Sequence, residues 1–287
     1  MQKYIQKAKI LAEALPYIKE FAGITVVIKY GGSALINGEI KKSLLKDIAV
    51  MKLVGFKPVI IHGGGPEVNA MLKRLDIESR FVNGLRVTDE AAMEVVEMVL
   101  AGKVNKELTT DICLEGVNAV GISGRDGNLL RAEKFTPEDG TDLGLVGEVV
   151  EVNTGILKTL MQDGYIPVIS SIAADAKGNV YNINADYAAV SIAGALKAEK
   201  LVFLTDVPGI MRDKDDISTV FSRLKKSEAL EMIKTGAING GMIPKVECCV
   251  KAVEAGVKNV HILDGRMEHS LLLEIFTHEG IGTLVEL

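Results

Sequence analysis

Val26-Val27-Ile28-Lys29-Tyr30-Gly31-Gly32-Ser33 is a β-branched apolar run that ends in a lysine and a glycine pair. The run reads as a buried strand over residues 24–30, and the glycines mark the turn that follows it. Val59-Ile60-Ile61-His62 repeats the layout and runs into Gly63-Gly64-Gly65-Pro66. Each glycine cluster leads into a helical pattern. Strand, glycine turn, helix is the grammar of an open α/β sheet that binds ligands at the carboxyl ends of its strands. Lys29 falls at such an end.

Farther along, Asn239-Gly240-Gly241-Met242-Ile243-Pro244-Lys245 sets a second lysine beside a glycine pair. Glycine lets the backbone approach an anion closely and turn its N–H groups inward. Two lysines with two glycine-lined anion nests describe a site for phosphoryl transfer, where positioning and charge stabilisation dominate. The cradle is not a Walker A loop, because G-x-x-x-x-G-K-[ST] does not occur, nor does a clean G-x-G-x-x-G follow the first strand. His62-Gly63-Gly64-Gly65 also matches the oxyanion loop of lipases, but that reading needs a G-x-S-x-G elbow. Gly121-Ile122-Ser123-Gly124-Arg125 lacks the spacing, so a hydrolase is set aside and His62 is read as a structural residue at a strand end.

Other elements follow from pattern. Phe81-Val82-Asn83-Gly84-Leu85-Arg86 carries the Asn-Gly signal of a hairpin. Helices are expected over 89–100, 104–114, 185–196, 246–255 and 270–276, and another from Ser227 with an imperfect capping box. Strands are expected over 117–123, 129–132, 144–152, 165–170, 200–205, 257–263 and 282–286. Residues 1–22 read as a helix kinked at Pro16 and ended by Gly23. Its apolar face packs either on its own core or on another subunit. Ala176-Lys177-Gly178-Asn179 is the best candidate for a boundary between two lobes, and Asp213-Lys214-Asp215-Asp216 for a charged loop tip.

Bulk properties narrow the class. The chain has 287 residues, 48% hydrophobic and 25% charged, which suits one large α/β domain or two lobes. A net charge of −5, 5% aromatics and no Trp disfavour a nucleic-acid partner. The three cysteines, Cys113, Cys248 and Cys249, form no C-x-x-C and read as small buried hydrophobes in a reducing compartment. No apolar run reaches the ~18 residues that span a membrane. The N-terminus lacks a signal-peptide pattern, so a cytoplasmic location is expected.

Two further clusters invite a choice between capping and chemistry. In Asn182-Ile183-Asn184-Ala185-Asp186, Asn184 suits a helix cap, while Asp186 in the first turn is placed to hold a lysine ammonium. Thr205-Asp206-Val207-Pro208-Gly209-Ile210 is a plain turn after a strand or the rim of a nucleotide pocket.

Taken in order, these motifs resemble those of the N-acetyl-L-glutamate kinases within the amino acid kinase superfamily. The resemblance covers essentially the whole chain. Asn83-Gly84-Leu85-Arg86-Val87-Thr88 separates this group from relatives acting on carbamate, aspartate, glutamate or UMP. It implies a three-layer αβα sandwich with a central, mainly parallel sheet. Residues 23–178 would form the amino-acid lobe and dimer interface, and 179–287 the ATP lobe. The implied reaction moves the ATP γ-phosphoryl group to the side-chain carboxylate of N-acetyl-L-glutamate, in arginine biosynthesis, with Mg²⁺ carried on the nucleotide phosphates.

By the same resemblance, Lys29 and Lys245 stabilise the group in flight and Asp186 holds both lysines. The N–H groups of Gly31, Gly32 and Gly64 neutralise oxygens, and Gly64 and Gly65 line the substrate pocket. Arg86 takes the α-carboxylate, and Asn182, with Asn184 beside it, meets the substrate near its acetamido group. Thr205, Asp206, Val207, Pro208, Gly209, Ile210, Ala237, Ile238 and Asn239 line the ATP pocket. No residue serves as general base, because a carboxylate is already ionised at neutral pH. No protein metal site is implied. Members with a kinked N-terminal extension resemble arginine-inhibited hexamers, trimers of dimers linked through that helix. This implies an L-arginine site at Tyr17, His261, Glu274, Gly280 and Gly282, and leaves open a PII signalling protein as a partner of the ring.

Overall fold

The computed structural model describes every residue except 32–37, 214–215, 239–241 and 277–279, together with the side chains of residues 3, 7, 8, 10 and 11. Gly32, Asn239, Gly240 and Gly241, the tip residues Lys214 and Asp215, and Thr277 to Glu279 lie outside the described residues.

The chain begins with α1 (Gln2–Glu13) and α2 (Leu15–Phe21), with Pro16 in the first turn of α2 and Gly23 at positive φ just beyond it. Proline is tolerated there because the first turn's N–H groups have no helical partner. β1 (Thr25–Tyr30), α3 (Gly38–Leu53), β2 (Lys57–His62) and α4 (Gly65–Arg74) come next. β3 (Phe81–Val82) and β4 (Leu85–Arg86) form the expected hairpin. Asn83 and Gly84 both sit at positive φ, as a two-residue turn of this type requires. α5 (Glu90–Glu97) and α6 (Asn105–Leu114) are joined by a π-helical turn over Met98–Val104. The two helices expected here are thus one continuous rod with a local bulge. After it come β5 (Ala119–Ser123), β6 (Leu130–Lys134), β7 (Val146–Val152), α7 (Gly155–Gln162), β8 (Ile166–Ser170), β9 (Ile172–Ala174) and β10 (Val180–Ile183). The rest is α8 (Ala185–Leu196), β11 (Lys200–Thr205), β12 (Arg223–Lys225), α9 (Lys226–Lys234), α10 (Met242–Glu254), β13 (Asn259–Asp264), α11 (Ser270–Ile275) and β14 (Thr283–Glu286).

Among the described residues, eight strands form one sheet in the order β12-β14-β13-β11-β1-β2-β8-β5. It is parallel from β13 through β5, while β14 runs antiparallel to β13. Alternate residues of one strand serve opposite faces. Val27 and Ile61 pack with Ala188, Ile192 and Val250 of α8 and α10. Val26, Ile28 and Ile60 pack with Leu44, Leu108 and Leu271 of α3, α6 and α11. Helices on both faces of a mainly parallel sheet make the three-layer αβα sandwich that the resemblance implies.

β1 is flanked by β2 and β11, and the chain leaves it in one direction and returns on the other side. The strand order reverses there, which opens a crevice at the carboxyl ends. Lys29 and Thr205 stand at that edge. Beside it β10, β7, β6 and β9 close into a small barrel, with Asp175 to Asn179 as the turn between β9 and β10. Val68, Leu72, Met93 and Leu100 pack together from α4, α5 and the π-helical turn, against Ile172 of β9.

Three expectations change. The N-cap of α9 is Lys225 rather than Ser227, and Glu228 accepts from the Lys225 N–H at 2.9 Å. Cys248 and Cys249 are buried, but Cys113 is exposed. The N-terminal segment divides: Phe21 of α2 packs against Phe56, with ring centroids 6.0 Å apart, whereas Tyr4 and Ile5 of α1 are exposed.

Candidate active site

A cavity of about 190 Å³ opens at the strand ends, lined by Gly63, Gly64 and Gly65, by Leu85 and Arg86 of the hairpin, and by Asn182, Asn184 and Ala185. The N-termini of α4 and α8 both border it. Each presents the positive end of a helix dipole, so the cavity is prepared for anions. Asn184 fixes the second of these ends, its Oδ1 accepting from the N–H groups of Asp186 at 2.8 Å and Tyr187 at 3.4 Å.

Lys29 Nζ lies 2.7 Å from Asp186 Oδ1. The lysine folds back over its own glycine turn, and a Cβ added at Gly31 would stand 2.8 Å from Lys29 Cε. A side chain at Gly31 would therefore displace the Lys29 ammonium from its place. Gly64 is confined from the other side, where an added Cβ would meet Leu100 Cδ2 at 2.6 Å. Lys245 sits in the first turn of α10, and among the described residues it makes no ion pair. Asp186 therefore holds one lysine, not two. Lys245 still belongs to the neighbourhood, because the Cys249 thiol, raised chiefly by burial, feels the charges of both Asp186 and Lys245. Burial also pushes the Cys248 thiol up to about 12, which leaves both thiols protonated and inert.

Across the cavity, Arg86 is 8% exposed. It donates to Ser79 Oγ and, at 3.3 Å, to the Gly65 carbonyl, with its guanidinium 4.6 Å from the Phe81 ring centroid. Burial lowers its pKa, but a guanidinium keeps its charge at any physiological pH. Asn182 Nδ2 donates to Thr88 Oγ1 at 3.2 Å, and Thr88 donates on to the Arg86 carbonyl at 2.8 Å. This chain ties the barrel to the hairpin and sets where Arg86 stands. The sequence alone gives no site role to Ser79, Phe81 or Thr88. Phe81 was within reach, because a two-residue turn at Asn83-Gly84 makes Phe81 the register partner of Arg86.

His62 is fully buried and hydrogen-bonded at both ring nitrogens, to the Gly63 carbonyl at 2.8 Å and to Asn105 Nδ2 at 3.0 Å. Burial drives its pKa down to about 4, so it is neutral at pH 7 and pins the glycine loop. The structural reading of His62 stands.

Among the positions assigned to the nucleotide, Thr205 and Ile210 are buried. Thr205 Oγ1 donates to the Val207 carbonyl at 2.9 Å, and the Ile210 N–H donates to Thr283 Oγ1 at 2.8 Å. Gly209 abuts Thr283 and Val220, and Ile238 is buried with its N–H 3.0 Å from the Met232 carbonyl. Asp206 is exposed, and Val207, Pro208 and Ala237 are half-buried beside them. The chain thus presents a shaped rim at the end of β11.

The residues of the expected effector site also converge. His261 Nδ1 lies 2.7 Å from Glu274 Oε1, both side chains under 8% exposed. The Ile281 and Gly282 N–H groups donate to Glu274 Oε2 at 2.8 and 3.4 Å, and a Cβ on Gly280 would crowd the same carboxylate. Burial raises the Glu274 pKa, but His261 and these N–H groups outweigh it, so the carboxylate stays ionised. Tyr17 reaches this corner through its ring, edge-on to Phe276 at 6.3 Å.

Residues 25–264 match the profile described as "Amino acid kinase family". Acetylglutamate kinase from Thermoanaerobacter sp. (strain X514) is 57% identical over 287 residues, covering 99% of this chain and 95% of that one. Acetylglutamate kinase from Heliobacterium modesticaldum is 55% identical, covering 99% of each. Among solved structures, N-acetylglutamate synthase from Neisseria gonorrhoeae, complexed with coenzyme A and N-acetyl-glutamate, superposes with a TM-score of 0.85 at 31% identity. The match takes in 98% of this chain but only 63% of that longer one. Carbamate kinase from Giardia lamblia bound to AMP-PNP shares the fold, with a TM-score of 0.68 at 20% identity. The chain belongs to the amino acid kinase family. It is a kinase, and the relatives that it matches over nearly its whole length are acetylglutamate kinases.

Proposed function

We propose that this kinase transfers the γ-phosphoryl group of ATP to the side-chain carboxylate of N-acetyl-L-glutamate, giving N-acetyl-L-glutamyl 5-phosphate and ADP in arginine biosynthesis. The observation that carries the reading is the cavity with Arg86 on one wall and the Lys29–Asp186 pair beside the N-termini of α4 and α8. Arg86 takes the α-carboxylate. The N–H groups of Gly31, Gly32 and Gly64 and the Lys29 ammonium receive the charge that builds on the reacting carboxylate and the phosphoryl oxygens. Lys245 serves the leaving side, and Thr205 to Ile210 with Ala237 to Asn239 line the nucleotide. The side-chain carboxylate attacks as an anion, so no base is required and His62 takes no part.

Among the described residues, no group of three or more His, Cys, Asp or Glu side chains is placed to hold a metal ion. Of the carboxylates near the cavity, Asp186 is engaged by Lys29, and Glu67 stands in the first turn of α4 with its Oε2 close to Gly64. On this reading Mg²⁺ would be carried on the phosphate oxygens of the nucleotide, where it supplies charge neutralisation. The reading divides the chain into an N-terminal extension over 1–22, an amino-acid lobe over 23–178 and a nucleotide lobe over 179–287.

Feedback inhibition by L-arginine belongs to the same reading. The ionised Glu274 is the partner for the effector's guanidinium, and Tyr17, His261, Gly280 and Gly282 surround it. N-acetylglutamate synthase from Neisseria gonorrhoeae has also been solved with coenzyme A and L-arginine, at 29% identity and a TM-score of 0.80. α1 links dimers into a hexamer of cytoplasmic enzyme, a ring that a PII signalling protein would meet. No described helix is long and apolar enough to cross a membrane. The test is ADP release with ATP and Mg²⁺ on N-acetyl-L-glutamate against glutamate, aspartate, carbamate and UMP, with and without arginine. Turnover on N-acetylglutamate alone, suppressed by arginine, is the expected result. Turnover on another acceptor instead would refute the substrate assignment.

A further inference from the structure

A second cavity of about 300 Å³ lies behind the first, between β7 and α8, and phosphoryl transfer makes no use of it. Three residues line both spaces: Leu85, Val146 and Asn184. The Asn184 side chain is committed to capping α8. The partition is therefore two apolar side chains. Val146 opens β7 and is 3% exposed, while Leu85 stands half-buried on the two-residue strand β4.

Their position against the substrate follows from register. Asn182 and Val146 are partners across the parallel β10–β7 pair. Directly paired residues project from the same face of a sheet. With the α-carboxylate at Arg86 and the reacting carboxylate at Lys29, the third arm of the substrate is its acylated nitrogen. An amide that hydrogen-bonds Asn182 lays its acyl carbon against Val146. We infer that Leu85 and Val146 set the upper length of the N-acyl group this enzyme accepts, and that the cavity behind them admits a longer acyl chain once either side chain is trimmed. The inference rests on the reading of the substrate as an N-acylated glutamate. Apolar walls discriminate by about 10- to 200-fold per methylene, so two added methylenes give a readable effect.

The experiment compares kcat/KM on N-acetyl-, N-propionyl- and N-butyryl-L-glutamate for the wild type, Val146→Ala and Leu85→Ala. The wild type is expected to fall at least tenfold from acetyl to butyryl. Either truncation is expected to raise the butyryl-to-acetyl ratio at least tenfold. Adding Ser191→Leu, which fills the second cavity from α8, should cancel that gain, and by itself should leave acetyl turnover unchanged. Leu85→Ala lies outside the main core and decides the matter if Val146→Ala does not fold. A wild type that treats acetyl and butyryl alike overturns the inference and leaves the activity assignment standing. So do truncated enzymes that keep acetyl turnover but gain nothing on butyryl. A wild type inactive on all three acceptors, yet active on an unacylated one, removes the activity assignment and the inference with it.

Discussion

Lys29 and Asp186 meet at 2.7 Å although 157 residues apart in the chain (186 − 29), joining the carboxyl end of β1 to the first turn of α8. The pair fixes the ammonium beside the anion cavity without burying it, for the two side chains remain 14% and 22% exposed. Replacing Asp186 by Asn removes the charge but keeps the shape. We expect kcat to fall by about 10²–10³, with stability lowered by about 1–3 kcal/mol because the Lys29 ammonium loses its charged partner. Lys29→Ala should cost a similar factor, and the double variant little more than either alone, since the two act as one unit. Steady-state kinetics with a parallel thermal melt decides it. Additive losses would show that the two residues act separately.

Gly64 has no room for a side chain. An added Cβ lies 2.6 Å from Leu100 Cδ2 and 3.2 Å from Val104 Cγ2, so both must yield. Gly64→Ala should destabilise by about 1–3 kcal/mol through overpacking and should raise KM for the acceptor, because the loop shifts away from the anion. Urea unfolding and initial rates measure both effects; a variant of normal stability and KM would contradict the packing argument.

Arg86 works through geometry as much as charge. Its fork is shared among Ser79, Gly65 and the Phe81 ring, which a lysine cannot reproduce. We expect Arg86→Lys to raise KM for the acceptor by about 10- to 100-fold, in line with losing one charge-assisted hydrogen bond worth about 1.5–3 kcal/mol. KM for ATP should stay within twofold, and a parallel rise there would place Arg86 on the nucleotide side instead.

What could be read from the chain alone was the local grammar: β1 and β2 with their glycine turns, the Asn83-Gly84 hairpin, and the cap and carboxylate at the start of α8. Each is fixed by a few neighbouring residues. What escaped depends on partners far away. β9 and β10 are three and four residues long and exist because the barrel closes around them. The sequence of β10 therefore read only as a polar stretch before a helix. The π-helical turn at Met98–Val104 left no periodic signature, yet the rod it interrupts delivers Asn105 to His62. Thr88 bridges Asn182 and Arg86 only because Gly144 pairs with it from the barrel side.

His62 couples the site to pH. Its folded pKa is about 4 against 6.5 for a free imidazole, because burial disfavours the cation. Below 6.5 the unfolded chain binds a proton that the folded chain refuses, so stability falls with pH until about 4 and then levels off. The window corresponds to a loss on the order of 3 kcal/mol. His62→Gln cannot protonate, so it should show a flatter profile between pH 7 and pH 4.5 despite a lower starting stability. Chemical denaturation at several pH values tests this, and parallel profiles for variant and wild type would count against it.

The N-terminal segment makes the last prediction, and it separates assembly from inhibition. α2 is tied to its own subunit by Tyr17 against Phe276 and Phe21 against Phe56, but α1 leaves Tyr4 72% and Ile5 49% exposed. On the proposed ring assembly, removing residues 1–13 should leave particles of two copies in light scattering, with turnover on N-acetylglutamate retained. Glu274→Gln should do the reverse. Its amide oxygen can still accept from the Ile281 N–H, so the particle mass is expected to stay that of the wild type. The charge that would receive a guanidinium is gone, and the arginine concentration for half inhibition should rise at least tenfold. An unchanged inhibition curve for Glu274→Gln would move the effector elsewhere. An unchanged particle mass after the deletion would return α1 to its own subunit.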